Sequence, residues 1–288
     1  MNVYCRLQDV VAAIQGSSQW PAHSHDAELL RLMEEISREA ERHCNLVFAA
    51  VTDTRYFDGN GCGELWLPPS RGFLAAAPTA FAVDLYGRLD YLASPVVNTD
   101  YFTYPADSTP GDPQPIMRLD VNPWSTLLVR AWPRGRRALR ITGRFGWSEE
   151  TEATGVTVND EDGGLDASET AMTVSGAGLQ AGDTLLVGSE QIYVSAAAGA
   201  TSTALTVVRG VNGTTAATHA NGAAILRRRY PRPVEQVVLA RTIQRFKRQE
   251  VGYVSTIANS EIGTFNLYRG TDADFDRALA AYSFPEAA

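Results

Sequence analysis

The residues of this chain that could do chemistry are few and scattered. There are four histidines (His23, His25, His43, His219), three cysteines (Cys5, Cys44, Cys62) and a single lysine, Lys247. His23-x-His25 with His43 and Cys44 offers metal donors, but structural zinc needs four convergent ligands in paired spacings, which these lack. They read as loop and helix-surface residues. Gly176-Ala-Gly178-Leu-Gln-Ala181 matches a dinucleotide fingerprint. That motif works only where a strand runs into a helix whose N-terminus holds the pyrophosphate, and here it runs into the strand-like Asp183-Thr-Leu-Leu-Val. Lys247 follows no Gly-rich loop, and no G-x-S-x-G elbow is present. The acids Glu149, Glu150, Glu152 and Asp160-Glu-Asp162 sit in a linker and turn, where carboxylates are solvated rather than tuned for acid–base work. The expectation is no catalytic residue, no cofactor, no metal and no enzymatic activity.

Arginine dominates the basic residues. Arg134, Arg136, Arg137, Arg140 and Arg144 cluster; on a strand, Arg140 and Arg144 share a face and could meet phosphates. A net charge of −8 favours the plainer reading, a solvated hairpin tip or an inter-subunit salt-bridge set. No apolar run approaches the ~20 residues that span a bilayer, so no membrane partner is expected. The N-terminus lacks a basic-then-apolar leader, and three scattered cysteines suit a reducing compartment.

The elements that must position these residues change character along the chain. Residues 4–15 suggest a short helix. Asp26 suits an N-cap for a helix over 27–44, with Leu29, Met33, Ile36, Ala40 and Cys44 at helical spacing. From 47 to 147 strands and loops alternate. Thr54–Phe57 leads into an Asp58-Gly59/Asn60-Gly61 turn, and Leu127–Trp132 and Ala138–Trp147 read as strands. Residues 151–229 carry short strands at regular spacing, with Gly188-Ser189 between two of them at hairpin distance. Helix returns after Pro231, with Arg241, Gln244, Arg245 and Arg248 as a polar stripe. The fold expected is α+β: a helical core with a small antiparallel β part, discontinuous over 1–150 and 230–288. An all-β domain, a small barrel or sandwich, is inserted at 151–229. The inserted piece is expected to be dispensable for folding of the core, its two ends lying close together.

Several local patterns occur in a telling order: Leu7-Gln-Asp-Val, the acidic helix ending in Ala40-Glu-Arg-His-Cys-Asn, Tyr56-Phe-Asp-Gly before Leu65-Trp-Leu-Pro, Gly143–Trp147, and Pro233-Val-Glu-Gln. Over about 4–150 and 230–288 the chain resembles the head–tail connector (adaptor) proteins of long-tailed bacteriophages and gene transfer agents. The 151–229 segment departs from that pattern. Its Leu205-to-Ala223 run is similar to small β modules of phage tail and structural proteins.

The resemblance implies a virion protein of the neck, made in the host cytoplasm, forming a ring commonly of twelve copies beneath a portal protein. Neighbouring copies, the portal, the next neck or tail protein (a stopper or tail component) and passing double-stranded DNA are the implied partners. The acidic balance suits a channel that DNA should not stick to. By position, Ile257, Ile262, Phe265, Leu267, Tyr268, Phe275 and Tyr282 are the portal-interface candidates, and Arg241, Arg245 and Arg248 the subunit-interface candidates. Two alternatives are a tail or baseplate component whose β module binds a capsid surface or glycan, and a cellular enzyme.

Overall fold

The structure, a computed structural model, describes residues 2–15, 25–106, 114–161, 163–199, 201–250, 256–259, 263–266 and 273–284. It divides into two compact units. The first comprises Met1–Cys44, Thr151–Val211 and Ala216–Ser283; the second comprises Asn45–Glu150, Asn212–Thr215 and Phe284–Ala288.

The expected helical core is overturned. Among the described residues the chain is mostly β, 34% strand against 25% helix, with four helices and several sheets. The helical stretches carry strong local periodicity and stand out in the sequence. The strands of residues 45–150 are mostly short and separated by long irregular loops, so their summed contribution is easily underweighted.

Helices α1 (Leu7–Gln15) and α2 (Asp26–Cys44) belong to the first unit. The α2 stripe buries Leu29, Leu32, Met33, Ile36, Ala40 and Cys44, and Ser37 satisfies its buried hydroxyl on the Met33 carbonyl at 2.7 Å.

The second unit holds strands β1 (Val51–Asn60), β2 (Glu64–Trp66), β3 (Ala80–Val83), β4 (Tyr101–Tyr104), β5 (Arg118–Val121) and β6 (Arg134–Phe145). They form two antiparallel sheets, ordered β1-β6-β3 and β2-β5-β4. Trp132 is fully buried among Phe81 and Tyr101, and its Nε1–H donates to the Leu119 carbonyl at 3.1 Å. The expected strand over Leu127–Trp132 is not one. Leu128 and Trp132 are buried, but Arg130 is left-handed (φ 59°) and its N–H closes on the Leu128 carbonyl, which breaks any ladder. The expected turn also shifts. β1 continues through Asp58 to Asn60 with a register slip at Phe57/Gly59, and Gly61 supplies the positive φ.

Strands β7 (Thr151–Thr157), β8 (Gly164–Leu165), β9 (Ala171–Thr173), β10 (Thr184–Val187), β11 (Glu190–Ala197), β12 (Ala204–Val208), β13 (His219–Ala220) and β14 (Ala224–Arg228) return the chain to the first unit. Six of them make an antiparallel sheet ordered β7-β14-β10-β11-β12-β9. Val158 bridges Val174 just beyond β7 and β9, and Ser175 N–H reaches the Thr157 carbonyl at 2.9 Å, so the sheet closes on itself as a small barrel. Its interior is apolar, filled by Val156, Met172, Leu185, Ile192, Val194, Leu205, Val207 and Ile225 among others.

Helix α3 (Arg232–Glu250) follows β14 and buries Val234, Val238, Thr242 and Phe246 at i, i+4 spacing. The short pair β15 (Thr256–Asn259) and β16 (Gly263–Asn266) and helix α4 (Ala273–Leu279) complete the order.

Candidate functional site

Two polar clusters of the first unit are built well enough to be weighed as chemistry. In one, Glu190 opens β11 after the Gly188-Ser189 turn and is wholly buried. Its Oε1 accepts from Arg209 Nε (2.8 Å) and Gly210 N–H (2.9 Å). Its Oε2 accepts from Arg209 Nη2 (2.8 Å), Ala217 N–H (3.0 Å) and His219 Nε2 (2.7 Å). Burial alone would raise the carboxyl pKa, but the Arg209 guanidinium and the other donors outweigh it and hold it at about 2. Arg209 also donates to the carbonyls of Asp166, Glu169 and Ala217. A carboxylate so saturated has no lone pair left for a substrate. The cluster clamps three loops of the barrel together. His219 is therefore not the surface histidine expected from sequence.

In the second cluster Arg227 (β14) meets Glu152 at 2.8 Å and Asp183 at 3.3 Å, while Arg229 bridges Glu152 (2.5 Å) and Glu235 of α3 (2.6 Å). Desolvation pushes the Asp183 carboxyl up. Glu152 moves down because its two arginine partners outweigh burial. With Thr151 and Arg228 as register partners, this network ties both ends of the barrel segment to the start of α3. Tyr4, fully buried, donates to Glu41 and packs edge-on against Tyr230. Tyr193 of the barrel donates to Glu34 of α2 at 2.8 Å. The barrel and the helices thus share one polar seam within the first unit.

Arg241 and Arg245, the subunit-interface candidates on α3, pair inside the chain: Arg245 with Glu35 (2.9 Å) and Glu39 (3.0 Å), Arg241 with Glu39 (3.4 Å). The Arg241 guanidinium also lies 5.5 Å over the Phe275 ring. Arg248 sits in the last turn of α3, half-buried. Of the portal-interface candidates, Phe275 is buried against His43, and Tyr282 is half-buried in the turn after α4. Ile257 and Phe265 are register partners in the β15–β16 pair. Ile262, Leu267 and Tyr268 lie outside the described residues. The Gly176–Ala181 run leads to strand β10 and to no helix. Among the described residues no group of three or more His, Cys, Asp or Glu side chains converges to hold a metal. Nor is any described helix long and apolar enough to cross a membrane.

The most distinctive surface belongs to the second unit. Among the described residues, the exposed large apolar side chains all fall between 66 and 129: Trp124 is 86% exposed, Val129 84%, Leu92 82%, Tyr86 75% and Trp66 61%, and Leu89, Val96 and Tyr104 are exposed to a lesser degree. Several are held on rigid loops. Asp84 is buried and accepts the N–H groups of Tyr86 (3.2 Å), Arg88 (3.1 Å) and Leu89 (2.8 Å), which draw its carboxyl below the ordinary range against the opposing pull of desolvation. Asp100, also buried, accepts from Val96 N–H (2.9 Å) and the Ser125 hydroxyl (2.6 Å), and Asn122 Oδ1 accepts the Trp124 N–H at 3.0 Å. Loops tied this firmly present apolar side chains to water in a fixed shape, which lowers the ordering cost of docking. The sequence does not single them out, because exposure cannot be told from burial in a loop without periodicity; the Asx-type turns at Asp84 and Asn122 are the available local signal.

No protein-family model matches the chain, and no curated protein and no solved structure matches it at a significant level.

Proposed function

We propose that this chain is a structural virion subunit, a head-to-tail connector. In this reading it forms a ring beneath a portal, extends the DNA channel and docks the next neck or tail protein, without catalysing a reaction. The observation that carries the reading is the set of exposed Trp, Tyr, Leu and Val side chains on the 45–150 unit, several of them held by loops knotted on Asp84 and Asp100. Large exposed apolar side chains mark interaction surfaces, and Trp and Tyr are the residue types that dominate binding hot spots. The saturated Glu190 cluster and the Arg227–Glu152–Arg229–Glu235 network favour a framework role over chemistry, since each of these carboxylates is already committed to arginine partners. The ordered motif series from Leu7 to Pro233 supplies the virion context.

The test is a binding experiment with the portal protein encoded by the same genome. Wild-type chain mixed with portal should co-sediment and add ring density in negative-stain images. The W66S/W124S variant should keep its melting temperature to within about 2 °C, since exposed positions contribute little to stability, and should lose that density. A wild-type chain that adds no density, or a variant that adds it unchanged, refutes the reading.

A further inference from the structure

Arginines of both units pair with carboxylates, Arg55 with Asp53, Arg118 with Asp120 and Arg144 with Glu149 in the second, but a run on β6 does not. In the first unit Arg209, Arg227, Arg229, Arg241 and Arg245 each sit on a carboxylate. On β6 of the second unit, the guanidinium groups of Arg134, Arg136, Arg137 and Arg140 have no carboxylate partner among the described residues, while the Arg137 backbone N–H donates to Asp58 Oδ1 at 2.7 Å. Two of them are instead laid on tyrosines. The Arg137 guanidinium lies 4.2 Å over the Tyr56 ring and that of Arg140 lies 4.7 Å over Tyr91. The two rings are themselves 5.8 Å apart, and the Tyr91 hydroxyl donates to the Arg137 carbonyl at 2.8 Å. Tyr56 and Arg140 are register partners on one face of the β1–β6 pair, followed by Thr54 opposite Thr142, whose hydroxyls bond each other at 2.8 Å.

A groove of about 520 Å³ opens beside this stack, lined by Arg55, Tyr56, Asp58, Ser70 and Arg137 with Val47 as its main apolar contact. Across β1 and β6 six arginines stand against two aspartates, in a chain whose net charge is −8. An aromatic face orients a guanidinium without using its N–H donors, so the fork stays available for a second, anionic partner.

We propose that this arginine–tyrosine face of the β1–β6 ribbon binds the phosphate backbone of nucleic acid. Arginine forks with neighbouring Ser and Thr hydroxyls are the side chains that contact phosphate oxygens. A protein partner would be expected to bury an apolar centre, and this groove offers little beyond Val47. Contacts made to phosphate alone carry no sequence information, so the face is predicted to bind without sequence preference. The site stands whether or not the chain assembles into a ring.

The test uses the full chain and a fluorescein-labelled DNA duplex of arbitrary sequence, read by anisotropy from about 50 to about 200 mM salt, a range over which backbone contacts weaken steeply. Wild-type chain should bind at the low end and weaken as salt rises. R137Q/R140Q should bind at least ~10-fold more weakly with a salt slope smaller by about 2, one for each lost phosphate contact. R137K/R140K, which keeps the charge, should restore most of the affinity, and circular dichroism should show all three folded. No duplex binding by wild-type chain at low salt overturns the proposal. So does a glutamine variant that binds as tightly as wild type, or tighter binding to polyglutamate than to the duplex, which would assign the face to an acidic protein.

Discussion

Glu190→Gln is the most informative perturbation of the barrel. The amide keeps the shape of the carboxylate but turns one acceptor oxygen into a donor. Either orientation fails: Oε1 faces Arg209 Nε and Gly210 N–H, and Oε2 faces Arg209 Nη2, Ala217 N–H and His219 Nε2. The change also leaves the buried Arg209 guanidinium, 6% exposed, without its counter-charge. Removing one partner of a buried ion pair costs roughly 3–5 kcal/mol. The proton linkage gives a comparable figure. The folded carboxyl titrates at about 2 against an ordinary 4.5, and at about 1.4 kcal/mol per pH unit that difference stabilises the fold by about 3 kcal/mol. The folded pKa is depressed, so this contribution is complete above the unfolded value and disappears as pH falls from 4.5 towards 2. A two-unit chain need not unfold in one step, and no tryptophan lies in the barrel, so the readout must be local. Hydrogen exchange of the 184–228 amides serves. At pH 7 the variant should open these strands at least ~30-fold more often, and the gap to wild type should close in the acid range. A difference below about 1 kcal/mol, or one that is the same at pH 3 and pH 7, would refute the clamp.

Three further outcomes follow from the geometry. Gly59→Ala should cost more than about 2 kcal/mol, because an added Cβ would stand 1.7 Å from the Pro133 carbonyl oxygen; urea unfolding followed by the fluorescence of the buried Trp132 checks it. Tyr193→Phe removes the bond to Glu34 and should destabilise the first unit by about 1–2 kcal/mol, as expected for a hydrogen bond to a charged group, seen as a lowered melting temperature by circular dichroism. Joining Glu152 to Tyr230 with a short Gly/Ser linker should give a poorly folded product that binds a hydrophobic dye; a cooperative, soluble product would show that the helices do not need the barrel.

That last outcome reverses what the sequence suggests, and the reason is specific. Residues 151–229 look self-contained because their strands are short, regular and internally paired, and the register Thr151↔Arg228 does bring their ends together. Tyr193 and Thr184 carry the contrary information, as polar side chains on otherwise apolar strands that reach Glu34 and Asn2 outside the segment. Such long-range hydrogen bonds leave no periodic trace. Local signals suffice where one element decides the pattern: α2 begins at Asp26 and buries the expected stripe, and Gly188-Ser189 turns β10 into β11. The Glu190–Arg209–His219 clamp was invisible because its members are 19 and 29 residues apart and only barrel closure makes them neighbours. The exposed aromatics of 66–129 were equally hidden, since a tryptophan in a loop is as often buried, like Trp132, as presented, like Trp124.

The central claim is that this chain is a ring-forming connector whose 45–150 unit meets its partners. A cryo-EM map of the particle's neck tests it most directly. The account predicts a ring of this chain directly beneath the portal, with Trp66, Tyr86, Leu92 and Trp124 buried in subunit contacts. A neck lacking this chain, or a ring in which those side chains still face solvent, would contradict it.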